Sequence, residues 1–249
     1  MSEEKRLKMV AGAFNIPNER YSKPQGDDAH FICVDRETIG VADGVGSWAR
    51  KGVDAGQYAR KLMSNCVDAI QNEAKAVDPK WVLTQAYEKT DVEGSSTACI
   101  ITIRDHFLHA ANVGDSGFVL IKKGSSVYQS PIQVRSFNHP YQLGKESDGP
   151  SSAQVLKIPV KAGDVIVAGT DGLFDNMFAN QIEDIVKMGV EDGVAPEQMA
   201  WAIAEHAYHN SVDAEANTPI MEASFKAGKP RSGGKIDDIT VLVAYIVDS

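Results

Sequence analysis

Apolar residues come in short runs at the start of the chain, Lys8–Phe14, His30–Asp35 and Thr38–Asp43, and runs of this length predict strands. The spacing changes between Val53 and Ala76. There Ala55, Ala59, Leu62, Met63, Cys66, Ala69 and Ile70 recur at intervals that place them on one face of an amphipathic helix. Pro79 suits the first turn of a second helix reaching about Lys89. Strand-like runs return at Thr97–Ile103, Phe107–Val113 and Gly117–Lys122. The stretch from Gly124 to Ser152 is rich in Ser, Pro and Gly and reads as loop with one short hairpin. Strands resume at Val155–Val160 and Asp164–Ala168. Helices follow near Ala179–Met188 and Pro196–Asn210, then an irregular polar span from Ser211 to Lys235, and a last strand at Ile239–Val247.

Strands interrupted by paired helices, without strict alternation, favour an α+β fold over a Rossmann-like sheet. The expected arrangement is a two-sheet sandwich with helices outside, built as one domain over residues 8–249 behind a flexible lead of residues 1–7. With 249 residues and 43% apolar content, a core of ordinary size needs no disulfide or structural metal.

The net charge of −9 argues against a nucleic-acid backbone binder, which would show a basic face. Cys33, Cys66 and Cys99 are widely spaced and form no CxxC pair, a pattern of reduced thiols. No stretch approaches the ~20 apolar residues of a membrane span, so the chain reads as cytoplasmic as written.

Carboxylates recur at strand ends. Asp27-Asp28 precedes AHFICV, Asp43-Gly44 closes IGVADG, Asp171-Gly172 closes VIVAGTDG, and Asp237-Asp238 precedes ITVLVAYIV. One Asp-Gly step alone is an ordinary turn signal. Four such points converging would be costly without cations, since two like charges ~4 Å apart repel by roughly 4 kcal/mol at a surface-like dielectric. A hard divalent ion with oxygen ligands reverses that sign.

Read in order, GDDAHF (26–31), VADGVGSW (41–48), GSSTA (94–98), ANVGDSGF (111–118), GTDGLFDN (169–176) and GGKIDDITVLV (233–243) resemble the metal-dependent PP2C-type serine/threonine protein phosphatases. The resemblance runs from about residue 10 to 247 and implies an αββα sandwich of two mostly antiparallel sheets. It also implies a centre of two Mg²⁺ or Mn²⁺ ions. By motif position, Asp43 would bridge both ions with the Gly44 carbonyl completing one site. Asp171 and Asp237 would hold one ion, and Asp27 would reach the other partly through water. Asp115 and Asp175 match positions that serve a third, weaker ion in some members. The implied reaction is in-line attack on phosphoserine or phosphothreonine by water held between ions ~3.5–4 Å apart, with no covalent enzyme intermediate. Phosphoproteins are the implied partners, and a monomer is expected.

The chain departs from the pattern in places. Many members have His after Asp-Gly as a general acid; here Val45 stands there and cannot donate a proton. His30 and His139 are candidates for that work, although His30 reads better as a partly buried, hydrogen-bonded histidine. Lys23 stands where the family usually has a phosphate-clamping Arg; it supplies charge without the bidentate fork. DGVGSW resembles a compact branch, some members of which are linked to mitochondria or chloroplasts.

Other readings compete. Gly114-Asp115-Ser116-Gly117 resembles a chymotrypsin-like nucleophile motif, but no His or Asp stands in recognisable triad context, and Ser116 reads better as support for the turn aiming Asp115. A pseudophosphatase scaffold and a metal-dependent esterase acting on small phosphates would share the fold.

Overall fold

The computed structural model describes residues 6–18, 25–73, 76–123 and 127–249. Two five-stranded antiparallel sheets face each other. The first has the order β1 (Leu7–Ile16), β12 (Ile239–Asp248), β11 (Val165–Gly169), β6 (Gly117–Ile121), β7 (Val127–Gln129). The second runs β10 (Gln154–Pro159), β5 (Phe107–Val113), β4 (Ala98–Arg104), β3 (Thr38–Asp43), β2 (Asp28–Cys33).

Both sheets are covered twice, once by each other and once by helices. α1 (Ala55–Asn72) and α2 (Pro79–Lys89) lie over the second sheet, while α5 (Pro196–Val212) lies over the first with α4 (Ala179–Glu191) beside it. The core accordingly forms three layers. Strand β4 shows the division: Ile100 points to the α1 layer, whereas Ile101 and Cys99 point between the sheets. A strand buried on both faces reads as a continuous apolar run, because neither face is selected for polarity. This is the αββα sandwich that the motif order implies.

Caps set the helix starts. Asp54 accepts from the Gly56 N–H, and Asp78 accepts from Lys80 and Trp81 with Pro79 in the first turn. The hairpin expected in the Ser-, Pro- and Gly-rich stretch is β8 (Val134–Ser136) with β9 (His139–Pro140).

The span Ser211–Lys235 is not irregular throughout, because it contains α6 (Pro219–Lys226). Thr218 caps that helix by accepting from Met221, Pro219 presets its first turn, and Ile220 and Ser224 face inward. A helix of two turns is too short to show a period, so only its cap and proline signal it. The four-residue α3 (Asp171–Phe174) also goes beyond the sequence reading. No helix among the described residues is long and apolar enough to cross a membrane.

Candidate metal centre

The carboxylates meet at one end of the sandwich, where strands from both sheets stop. Pairing of β2 with β3 sets Asp28 directly opposite Asp43. Like charges in that relation destabilise a ladder unless something offsets them. From the other sheet, Asp171 follows β11 and opens α3, Asp175 ends α3, and Asp237 leads into β12. Asp115 occupies the turn between β5 and β6. Asp43 feels the charges of Asp171, Asp28, Asp237 and Asp115, so residues as far apart in the chain as Asp28 and Asp237 share one electrostatic site.

Close backbone approach explains the glycines. A side chain at Gly172 would place its Cβ 1.9 Å from the Asp238 carbonyl oxygen, and one at Gly44 would lie 2.4 Å from that of Ala55. These glycines let neighbouring chain segments approach each other.

A buried network aims the acids. Asp28 Oδ2 accepts from Thr170 Oγ1 and Thr240 Oγ1, both at 2.7 Å. Asp238 Oδ1 accepts from the Asn18 N–H, and Oδ2 accepts from the Asp27 N–H at 2.6 Å, so the second acid of that pair holds backbone. Asp27 is buried beside Gly44: its carbonyl accepts from the Gly44 N–H at 3.0 Å and its Oδ1 from the Gly56 N–H at 3.1 Å. Ser116 Oγ bonds Thr97 Oγ1 at 2.6 Å beneath the turn carrying Asp115, a supporting role rather than a nucleophile's. Trp48 Nε1 donates to Ser95 Oγ at 2.6 Å and ties the DGVGSW loop to the GSSTA loop.

Lys235 lies among the acids. Its Nζ reaches Asp171 Oδ2 at 2.5 Å, Asp175 Oδ2 at 2.9 Å and Asp237 Oδ2 at 3.0 Å. Asn176 fixes this lysine's backbone, accepting from its N–H and donating to its carbonyl. Burial alone would lower the Lys235 pKa, but the three carboxylates raise it well above its ordinary value. Burial would likewise raise Asp171, yet the ammonium holds that carboxyl below its usual range.

The acids out of Lys235's direct reach go the other way. Burial and neighbouring charges push Asp28 and Asp43 well above the carboxylate range, and Asp115 up to about 8. Even beside Lys235, burial raises Asp237 to about 7 and Asp175 to about 6. Protein groups alone therefore leave the cluster short of positive charge. Asp28 Oδ1, Asp115 Oδ1 and Asp171 Oδ1 are buried with no hydrogen-bond partner, a costly condition that a hard cation relieves. The donor set thus fits Mg²⁺ or Mn²⁺ in chemistry. It is not closed into a ligand shell: among the described residues no group of three or more His, Cys, Asp or Glu side chains is drawn tightly enough to hold an ion.

The other sequence candidates divide. Lys23 lies outside the described residues. His30 stands on the edge strand β2, where alternation turns Ala29 and Phe31 to the core; the residue is exposed overall, while partial burial of its ring lowers its pKa from the ordinary histidine value. His139 is exposed, and its Nδ1 is 2.9 Å from the Phe137 carbonyl oxygen. Neither histidine lines the groove that opens on Asp115 and Asp175. Sequence reasoning missed two members of the site. Asp28 was visible as half of an acidic pair, but only the β2–β3 register shows it facing Asp43. Lys235 stands two residues before Asp237 in GGKIDDIT and gave no signal beyond that proximity.

The comparisons agree with this architecture. The protein phosphatase 2C family profile matches residues 18–190. The chain is 47% identical to "Probable protein phosphatase 2C 80" of Arabidopsis thaliana, over 98% of this chain and 60% of that one. It is 48% identical to "Probable protein phosphatase 2C 55" of the same plant, over 98% of this chain and 53% of the relative. The chain therefore spans little more than half the length of these relatives. Among solved structures, the photosystem II phosphatase PBCP superposes with a TM-score of 0.88 at 32% identity, covering 95% of this chain and 98% of that one. Motif order, sandwich topology and a profile match across most of the chain agree: this chain belongs to the protein phosphatase 2C family.

Proposed function

We propose that the chain is a Mg²⁺- or Mn²⁺-dependent phosphatase acting on phosphoserine or phosphothreonine in proteins. One observation carries this reading: buried, unpartnered carboxylate oxygens belong to acids from both sheets whose charges act on one another at one end of the sandwich. Asp43, Asp171 and Asp237, with Asp27 and the Gly44 carbonyl, would hold two ions, and Asp115 with Asp175 a third. When bound, such ions supply a nucleophilic water at neutral pH and neutralise charge on phosphoryl oxygens.

The chain's own residues do the positioning. Thr170 and Thr240 hold Asp28 in line with Asp43. Asp238 pins the backbone of Asn18 and Asp27 on either side of the segment bearing Lys23, the proposed phosphate-binding residue. The likeness to a photosystem II phosphatase supports a chloroplast location over the cytoplasm, which import of a tagged full-length protein would check.

The test is turnover of a phosphothreonine peptide with Mn²⁺ and then with EDTA, in wild type and in the variants Asp43→Asn and Asp171→Asn. Each substitution is expected to cost at least ~10²-fold in kcat with the fold retained by circular dichroism, because each removes a charge the ions need. Activity that survives EDTA, or survives in both variants, excludes the centre. A wild type that binds Mn²⁺ without turning over any phosphoester would be a scaffold.

A further inference from the structure

The acidic cluster opens on one side into a groove of about 480 Å³ with two apolar walls. Ile132, Val134 and Phe137 form the wall on the β8–β9 side. Phe174 from α3 and Ile220 and Ala223 from α6 form the other, with Asp115 and Asp175 at the inner end. Ile132 is 54% and Val134 39% exposed, so neither is held there by the core. Exposed apolar residues gathered around a concave surface mark a binding site more often than a packing accident.

Resting on the phosphatase reading, we propose that this groove receives a large apolar side chain of the phosphoprotein substrate, one or two residues from the phosphorylated residue. Three observations lead there. The groove adjoins the candidate centre, because Asp115 and Asp175 line it and Asp175 shares the Lys235 ammonium with Asp171 and Asp237. An extended peptide advances ~3.3 Å per residue, so a phosphoryl group at those acids sets the adjacent residues over the groove. Lastly, the apolar walls gain from burying a Leu, Ile or Phe side chain. The groove thus selects phosphopeptides with an apolar neighbour over those with a small polar one.

The test compares two phosphothreonine peptides of equal length, with Leu or with Ser at the positions flanking the phosphoresidue, alongside p-nitrophenyl phosphate, all with Mn²⁺. Wild type is expected to favour the Leu peptide by about tenfold in kcat/KM. Ala223→Trp fills the groove from an exposed helical position, and Ile132→Ser strips one exposed wall residue without touching the core. Both are expected to erase the preference through KM and to leave p-nitrophenyl phosphate turnover unchanged. Turnover of the small ester with no peptide preference in wild type, or with the preference intact in both variants, overturns the groove assignment alone. No turnover of any of the three overturns the phosphatase reading and this one with it.

Discussion

Lys235 is the residue whose role most depends on what surrounds it. Its ammonium contacts three carboxylates that burial would otherwise drive towards protonation. A divalent ion entering among Asp171, Asp175 and Asp237 competes with that tethered charge. Lys235→Met is expected to destabilise the metal-free protein at neutral pH by up to about 3 kcal/mol, since it strands buried acids. It is also expected to lower the Kd for Mn²⁺, because the competitor is gone. Chemical denaturation in EDTA and calorimetric Mn²⁺ titration check the two halves. Unchanged Mn²⁺ affinity would show that the lysine and the ion do not compete. Asp28 teaches the complementary lesson: its identity was plain, but its place opposite Asp43 required knowing which residues pair.

The site depends on elements ending at the right place. β11, α3 and the approach to β12 meet where Gly172 leaves no room for a side chain. Gly172→Ala must move Asp171 away from the Asp237–Asp238 segment to clear the carbonyl 1.9 Å from the added Cβ. The expected cost is about 1–3 kcal/mol of stability, with a loss of turnover out of proportion to it. Thermal denaturation and kinetics on the same preparation measure both. Sequence periodicity located the long elements, including α2 at Pro79–Lys89 and β5 at Phe107–Val113, because each spans enough residues to repeat its pattern. It missed α6, which rests on a cap and a proline, and the four-residue α3, which has neither and packs on β12 and α5 from distant parts of the chain.

For the whole molecule, the pooled acids make stability depend on pH and metal together. Asp115, Asp237 and Asp175, raised to about 8, 7 and 6, keep protons in the folded chain that the unfolded chain has already released. Stability of the metal-free protein therefore falls as pH rises from about 4 through 8. Asp171 acts oppositely: its lowered pKa contributes stability above the ordinary carboxylate range, which is lost as pH falls through its folded-state pKa. In EDTA, Tm is expected to drop by roughly 5–10 °C between pH 5 and pH 8, the change that about 2–3 kcal/mol makes in a chain of this size. Mn²⁺ is expected to raise Tm more at pH 8 than at pH 5, since ligands bind metal deprotonated. A flat profile in EDTA would mean that the acids do not titrate together. The sequence by itself determined the layered α+β class, the order of the long elements and most of the acids at the mouth, because burial pattern and turn chemistry are local. Only the tertiary structure decided that Asp28 faces Asp43, that Lys235 is the resident counter-charge and that an apolar groove adjoins them. Those facts depend on strand register and on contacts between residues far apart in the chain, which no local pattern encodes.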